Sequence, residues 1–273
     1  MNAQLLEQSV ADHLTMIRPR IDRVFVPIIA RVKATAHAIN IAPFVRALNK
    51  ELAGTKVRIV TEITTRFESP EASNHLYYPP IGGYCFEPSS EKFQHLARIK
   101  IILCIHPSTH RLSLPATAWE YFRFRLLKTI AHELVHRAQF AQGRKYGNNL
   151  VFRPDAAAFV NPRLVKDQEY LGDIDEVEAY SRDCVEEWHY IKLGEPLTVR
   201  GIKREFRNKG GSIPALQYYY EIYEGNENHR SVQRLFRKVK AWNEIVTPLS
   251  CELPAPPLYV LNKAEEKKHI CAS

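Results

Sequence analysis

The sequence predicts a mainly helical α+β fold with a small β-sheet that precedes a long central helix. Apolar residues recur at helical spacing through most of the chain, and only the runs 56–65 and 98–105 have the alternation or apolar character of strands. Glycine is scarce, with 11 residues in 273, which also favours helix. The length is sufficient for a hydrophobic core, and a composition of 45% hydrophobic and 25% charged residues excludes a mainly disordered protein.

Three parts are predicted along the chain. Residues 1–53 form a helical N-terminal element, in which prolines divide the helical pattern into pieces and which Gly54 ends. Residues 54–247 form the main domain. Residues 248–273 contain four prolines and are predicted to be a C-terminal tail.

The two predicted strands differ in character. Residues 56–65 alternate polar and apolar side chains, as a half-buried strand does, whereas residues 98–105 are more apolar. The second strand is therefore predicted either to be fully buried or to be an edge that pairs with an extended peptide. Between them, residues 69–90 hold four prolines and the pair Gly82-Gly83, which indicates a long loop or an irregular hairpin.

The long helix is predicted from its first turn. The hydroxyl of Thr117 can cap the backbone N–H of Glu120, whose carboxylate can reach back, and the helix should continue to about Gln142 before Gly143. Residues 143–172 have little periodicity and are predicted to be a loop. Further helices are predicted over residues 174–192, 199–208, 213–223 and 229–246.

The sequence His132-Glu133-Leu134-Val135-His136 lies within this helix. Two histidines four residues apart project from the same helix face, so their imidazoles can bind one metal ion. Glu133 points about a quarter-turn away and can accept a proton from a metal-bound water without being a ligand. A random shuffle of this composition would contain the motif about 0.04 times, so it indicates a metal site.

A catalytic zinc site also needs a third protein ligand. The longer pattern with a third histidine would need Gly and His where this chain has Gln139 and Gln142. Residues 167–195 carry ten acidic and only two basic side chains, in a chain whose net charge is +8. Mutual repulsion at this density favours a bound cation, although alternating solvated faces would give the same pattern.

A resemblance to a known class follows from these residues. His132-Glu-Leu-Val-His136 followed by Glu176-Val-Glu-Ala179 resembles the gluzincins, zinc metallopeptidases that carry H-E-x-x-H on one helix and a glutamate, often within E-x-x-A, on a later helix. The similarity covers two short motifs within residues 97–195. It implies a zincin-like fold for the main domain and the zinc-dependent hydrolysis of peptide bonds in proteins or peptides.

The same resemblance assigns roles to individual residues. It implies His132, His136 and Glu176 as the zinc ligands, and Glu133 as general base and then general acid. Glu178 is the alternative third ligand, because two residues along a helix differ in direction by about 200° and only one of them can face the ion. Nothing in the sequence selects a residue to stabilise an oxyanion beside the metal; the candidates are Tyr180, Tyr218, Tyr219 and His189.

Partners and location are predicted from charge and cysteine usage. Residues 229–240 form a basic amphipathic helix that can contact a polyanion such as nucleic acid or present an ordinary solvated face. The alternative function is a non-catalytic zincin-fold structural or nucleic-acid-associated binding protein, and a site covered by residues 1–53 is a further alternative.

The sequence also predicts a location. Its five cysteines are widely spaced, and it lacks a secretory signal. No apolar run approaches the ~20 residues that span a bilayer. These observations predict a cytoplasmic location without membrane contact.

Overall fold

The computed structural model describes residues 3–35, 38–63, 81–85, 99–142, 162–193, 195–246 and 249. Its helices are α1 (Ala3–Ala34), α2 (Ile41–Glu51), α3 (Ala116–Ala141), α4 (Pro162–Gly172), α5 (Ile174–Ile191), α6 (Val199–Arg207), α7 (Pro214–Ile222) and α8 (Arg230–Asn243). Its strands are β1 (Ile39–Asn40), β2 (Val57–Ile63), β3 (Ile81–Cys85), β4 (Ile99–Ile105) and β5 (Arg111–Leu112). This architecture confirms the prediction of a mainly helical α+β fold with a small sheet ahead of the long helix, α3. Of the predicted tail, only Leu249 lies in the described part of the chain.

The larger sheet has three strands in the order β2-β4-β3. β2 runs parallel to β4 and β3 runs antiparallel to it, so β4 is hydrogen-bonded on both sides. The prediction that this segment is an edge strand open to a peptide is wrong, because both of its edges are paired. Alternate residues of β4 are buried in the core; they are Ile99, Ile101, Leu103 and Ile105.

β3 lies within residues 69–90, for which the sequence indicates a long loop or an irregular hairpin. The loop alternative is wrong for Ile81–Cys85, whereas the antiparallel pairing of β3 with β4 agrees with the hairpin alternative. In the antiparallel register Gly83 pairs with Ile101. Backbone hydrogen bonds require no side chain, and pairing with an apolar central strand overrides the low strand propensity of glycine. The other residues of this predicted loop lie outside the described ranges.

α1 is one continuous helix, although Pro19 and Pro27 lie inside it. The prediction that these prolines divide it is wrong, because a buried apolar stripe continues past both prolines and α1 packs along α3. This stripe consists of Leu6, Val10, Leu14, Ile17, Ile21, Phe25 and Ile29. The ring of Phe25 packs edge-on against those of Trp119 and Phe122 on α3, at centroid distances of 6.0 and 5.7 Å. α1 therefore belongs to the core, and the domain boundary at residue 53 stays a prediction.

α3 begins one residue before the predicted cap. Its N-cap is Pro115, which forms no side-chain capping bond, and Thr117 lies inside the first turn. The predicted capping box is therefore wrong, and Glu120 instead accepts a hydrogen bond from Arg123 at 3.4 Å. The helix ends at Ala141, as the sequence predicts to within one residue.

α4 lies inside the predicted loop 143–172, so that prediction is wrong for this part of the chain. The helix lacks a wide apolar stripe and is held to α7 by hydrogen bonds, which sequence periodicity does not detect. The side chain of Gln168 donates to the carbonyl of Ile222 at 3.0 Å, and the hydroxyl of Tyr219 donates to the carbonyl of Leu171 at 2.9 Å. The remaining predicted helices are confirmed as α5, α6, α7 and α8.

Candidate metal centre

α3 and α5 pack side by side and bring together three side chains that the sequence assigns to a metal site. His132 and His136 lie one turn apart on α3, and Glu176 lies in the first turn of α5. The two Nε2 atoms are 3.3 Å apart. Oε2 of Glu176 is 3.6 Å from Nε2 of His132, and Oε1 is 3.4 Å from Nε2 of His136. One ligand atom from each residue lies within 4.8 Å of the others, so the group can hold one metal ion.

The carboxylate of Glu176 is buried beside the two imidazoles. The residue is 1% exposed, and within the described ranges neither carboxylate oxygen accepts a hydrogen bond. Burial of an unpartnered carboxylate is strongly unfavourable, so buried charges are normally paired or bind a metal. Burial raises the pKa of Glu176, but His136 and His132 outweigh this effect and lower the pKa to about 2. The side chain is therefore ionised at neutral pH, as a metal ligand must be.

Both imidazoles are fixed through the nitrogen that faces away from the shared centre. Nδ1 of His132 is 3.1 Å from Oδ2 of Asp183, and Nδ1 of His136 is 2.9 Å from Oε1 of Gln139. The amide of Gln139 in turn donates to the carbonyl of Asp175 at 3.1 Å. Such contacts select the tautomer with a proton on Nδ1 and leave Nε2 as a metal-binding atom.

Asp183 is itself held by a partly buried cation. The ammonium of Lys128 lies 3.6 Å from Oδ2 of Asp183 and also donates to Glu187. Burial raises the pKa of Asp183, but Lys128 and His132 outweigh it and lower the pKa. Asp183 is therefore an ionised acceptor for His132. The sequence analysis did not assign it a role, although it lies seven residues after Glu176 and so two turns along the same face of α5.

Glu133 follows the first histidine and is also buried, at 5% exposure. Burial raises its pKa, while His132 and His136 act in the opposite direction; the net effect is a raised pKa. A carboxylate whose pKa is closer to neutrality is a better proton acceptor at neutral pH. Its position and pKa are therefore compatible with the predicted role as general base.

Glu178 faces a different helix from Glu176. Its carboxylate accepts hydrogen bonds from the ammonium of Lys238 and, at 2.9 Å, from the indole N–H of Trp242, both on α8. The two glutamates thus point to opposite sides of α5, as their spacing requires. Of the two alternatives that the sequence leaves open, the structure brings Glu176 to the imidazoles and directs Glu178 away from them.

The four candidates for oxyanion stabilisation lie at different distances from the centre. The ring of Tyr180 is 5.0 Å from that of His132, and the ring of Tyr218 is 5.8 Å from that of Tyr180. Tyr219 uses its hydroxyl to bind a backbone carbonyl of α4. His189 lies near the far end of α5, where its Nε2 is 3.1 Å from Oδ1 of Asn243. Tyr180 therefore lies beside the centre, Tyr218 packs behind Tyr180, and His189 lies away from the centre.

Tyr170 on α4 also lies at the centre and was missed by the sequence analysis. Its ring is 6.3 Å from that of Tyr180. The residue is 41% exposed, yet burial, Tyr180 and Glu176 together raise the pKa of its hydroxyl, which places that hydroxyl on the buried side near Glu176. No sequence signal identified it, because α4 was predicted to be a loop.

α8 carries the predicted basic face. Its apolar face is buried as expected and comprises Val232, Leu235, Phe236, Val239 and Trp242. Arg230, Arg234 and Arg237 follow one another along the opposite side, and within the described ranges none of them forms an ion pair. Burial, together with Arg230 and Arg237, lowers the pKa of Arg234. We call these three residues the arginine stripe.

Comparisons with known proteins add no relative to this picture. The chain matches no family model, and neither a curated protein nor a solved structure is significantly similar to it. Within the described ranges, no helix combines the length and the apolar composition that crossing a bilayer requires. Arguments about function therefore depend on the geometry of the centre.

Proposed function

We propose that the chain is a zinc-dependent metallopeptidase with a zincin-like main domain, in which His132, His136 and Glu176 bind the metal. One observation carries this proposal: both oxygens of the buried Glu176 face the two Nε2 atoms and accept no hydrogen bond from the residues that the structure describes. A divalent cation satisfies these oxygens and the two nitrogens together, since Zn²⁺ prefers nitrogen and carboxylate ligands in tetrahedral sites. Three protein ligands leave one position open, which is typical of catalytic zinc.

The roles of the remaining residues follow from their positions. Zinc bound at this centre would lower the pKa of a coordinated water and polarise a substrate carbonyl. Glu133 accepts the proton of the attacking water and later delivers it to the leaving amine. Asp183 and Gln139 keep the imidazoles oriented. Tyr170 and Tyr180 present phenol groups beside the ligands, where a hydroxyl can donate to a developing oxyanion.

The substrate that fits this centre is an extended peptide or an unfolded protein segment. β3 packs against α3, and among the described strands it lies at the edge of the three-stranded sheet. Edge strands are the usual docking position for an extended chain, which binds them through backbone hydrogen bonds. We infer a cytoplasmic location for this activity, which suits the buried thiol of Cys184.

Two variants test the metal and the base separately. We expect one equivalent of zinc in the wild-type protein by elemental analysis, and cleavage of a denatured protein that stops on chelation. Glu133→Gln should retain the zinc and lose turnover by at least about 100-fold, because the proton acceptor is gone. His136→Ala should lose both. Undiminished hydrolysis by Glu133→Gln, or a wild-type protein that takes up no zinc, would contradict the proposal.

A second candidate function is supported by the arginine stripe. Three arginines that lack counter-ions among the described residues can neutralise phosphates, and on this alternative the chain is a zincin-fold nucleic-acid-associated protein without protease activity. For this function we expect DNA affinity that falls steeply with salt and falls further in a triple Arg→Gln variant of the stripe, with no cleavage of any denatured protein.

A further inference from the structure

Gly83 on β3 lies directly against the side chain of Glu133. A β-carbon built on Gly83 would be 2.6 Å from Cγ and 2.8 Å from Cδ of Glu133, and closer still to Oε1. Carbon atoms that are not bonded to each other are normally separated by about 3.5–4.0 Å. No residue other than glycine therefore fits at position 83 while the carboxylate of Glu133 keeps its place.

The backbone gives no other reason for glycine at this position. Gly83 does not have a positive φ angle, and it pairs in regular register with Ile101. An alanine could therefore adopt the same strand conformation. Its neighbour Gly82 points to the opposite side of the sheet, where a β-carbon would meet nothing within 4 Å. The two glycines differ in what their missing side chains would contact.

We propose that Gly83 is a positioning residue for the general base: the bare backbone of β3 leaves the space that the carboxylate of Glu133 occupies. This inference rests on the proposed function. The three atoms in conflict all belong to the outer part of one flexible side chain, whereas β3 is fixed by its ladder with β4. An alanine at position 83 would therefore displace the carboxylate and leave the strand in place.

This displacement separates catalysis from metal binding. The three atoms nearest to a β-carbon at position 83 all belong to Glu133 and none to the proposed metal ligands His132, His136 and Glu176, so zinc content should not change. A misplaced base loses part of a contribution that is typically 100- to 10,000-fold in rate. Gly83→Ala should therefore lower kcat at least about tenfold with little change in KM, because Glu133 acts in the chemical step.

The test combines kinetics with a double-mutant cycle in thermal stability. The variants are Gly83→Ala, Gly82→Ala as the matched control, Glu133→Ala, and Gly83→Ala with Glu133→Ala. Displacing a buried side chain should lower Tm by about 2–4 °C in Gly83→Ala. The same substitution should change Tm by less than about 1 °C when Glu133 is already alanine, since all the conflicting atoms are absent. Gly82→Ala should leave Tm, zinc content and kcat unchanged.

The two readouts keep this inference distinct from the proposed function. If the wild-type protein cleaves nothing, the proposed function fails, while the stability cycle still shows whether position 83 is coupled to Glu133. If the protein cleaves peptides and Gly83→Ala keeps its full kcat, the inference fails and the proposed function stands. An equal loss of Tm in both Glu133 backgrounds, or an equal effect of Gly82→Ala, would also overturn the inference.

Discussion

Two kinds of buried carboxylate lie on α5, and they differ in what compensates their charge. Glu178 is bound by the ammonium of Lys238 and the indole N–H of Trp242. Glu187 is bound by the ammonium of Lys128. These carboxylates connect α5 to α8 and α3 with partners that the chain itself provides. Their role is therefore complete within the fold.

Glu176 lies on the same helix, but within the described part of the chain neither of its oxygens accepts a hydrogen bond. Its oxygens lie 3.6 and 3.4 Å from imidazole nitrogens of His132 and His136. Burial alone thus does not distinguish a structural carboxylate from a candidate ligand, because both kinds are inaccessible to solvent. The distinguishing feature is the kind of partner: Glu178 and Glu187 are bound by lysine side chains, whereas Glu176 faces two imidazoles, which can themselves bind a metal ion.

Replacing Glu176 should affect zinc affinity, whereas replacing Glu178 should affect thermal stability. Glu176→Gln should lower zinc affinity by at least about 1,000-fold, since loss of a contact that merely orients a ligand already costs about 10- to 100-fold. Glu178→Gln should change zinc affinity by less than about threefold and lower Tm, because it weakens the contact with Lys238. Competition with a chromogenic chelator measures the affinity, and calorimetry measures Tm.

Equal zinc affinity in these two variants would remove the distinction between the two carboxylates. Loss of zinc from Glu178→Gln alone would reverse the assignment of the third ligand. Because each variant keeps the size and shape of the side chain, circular dichroism at a temperature below Tm serves as the control for folding.

A smaller loss of metal affinity is expected from the residues that hold the imidazoles. Asp183→Asn should weaken zinc binding about 10- to 100-fold, because an amide is a poorer acceptor for Nδ1 of His132 than a carboxylate. Gln139→Ala removes the equivalent contact of His136 and should give a loss within the same range. Chelator competition measures both variants, and zinc affinities equal to that of the wild type would show that these contacts do not support the ligands.

The sequence predicts the part of the centre that depends on local periodicity. His132 and His136 share a face because 3.6 residues form one helical turn, whatever surrounds the helix. The third ligand requires contact between α3 and α5, which periodicity does not describe. The choice between Glu176 and Glu178 depends on Lys238 of α8, more than 50 residues away along the chain.

Two parts of the fold could not be predicted because long-range contacts determine them. β3 forms from a glycine-containing segment that pairs with β4, and α4 is stabilised by hydrogen bonds to α7. Both elements lie close to the centre and contribute Gly83 and Tyr170 to it. Gly83 and Tyr170 were therefore missed, because local sequence preference and tertiary structure disagree in these two segments.

A further buried carboxylate on α5, Glu186, sharpens the comparison through its pH dependence. Nη2 of Arg182 lies 3.1 Å from Oε1 of Glu186. The backbone N–H of Leu249 donates to Oε2 of Glu186 at 2.8 Å. Burial raises the pKa of Glu186 more than these partners lower it, so the pKa is about 7 in the fold against 4.5 for an ordinary glutamate. Compensation is therefore incomplete at this carboxylate.

The stability that Glu186 contributes should be lost as the pH rises. A group whose pKa is higher in the folded state binds its proton more tightly there, so its contribution is complete below pH 4.5 and lost as the pH rises through about 7. In Glu186→Gln this dependence is absent. From pH 4.5 to pH 7.5 the free energy of unfolding of the wild type should therefore fall by about 1–3 kcal/mol relative to that of the variant. Urea unfolding with a chelator present, so that metal binding does not contribute, measures this difference, and Glu62→Gln on the exposed part of β2 is the control. A constant difference across this range would place Glu186 with the fully compensated carboxylates.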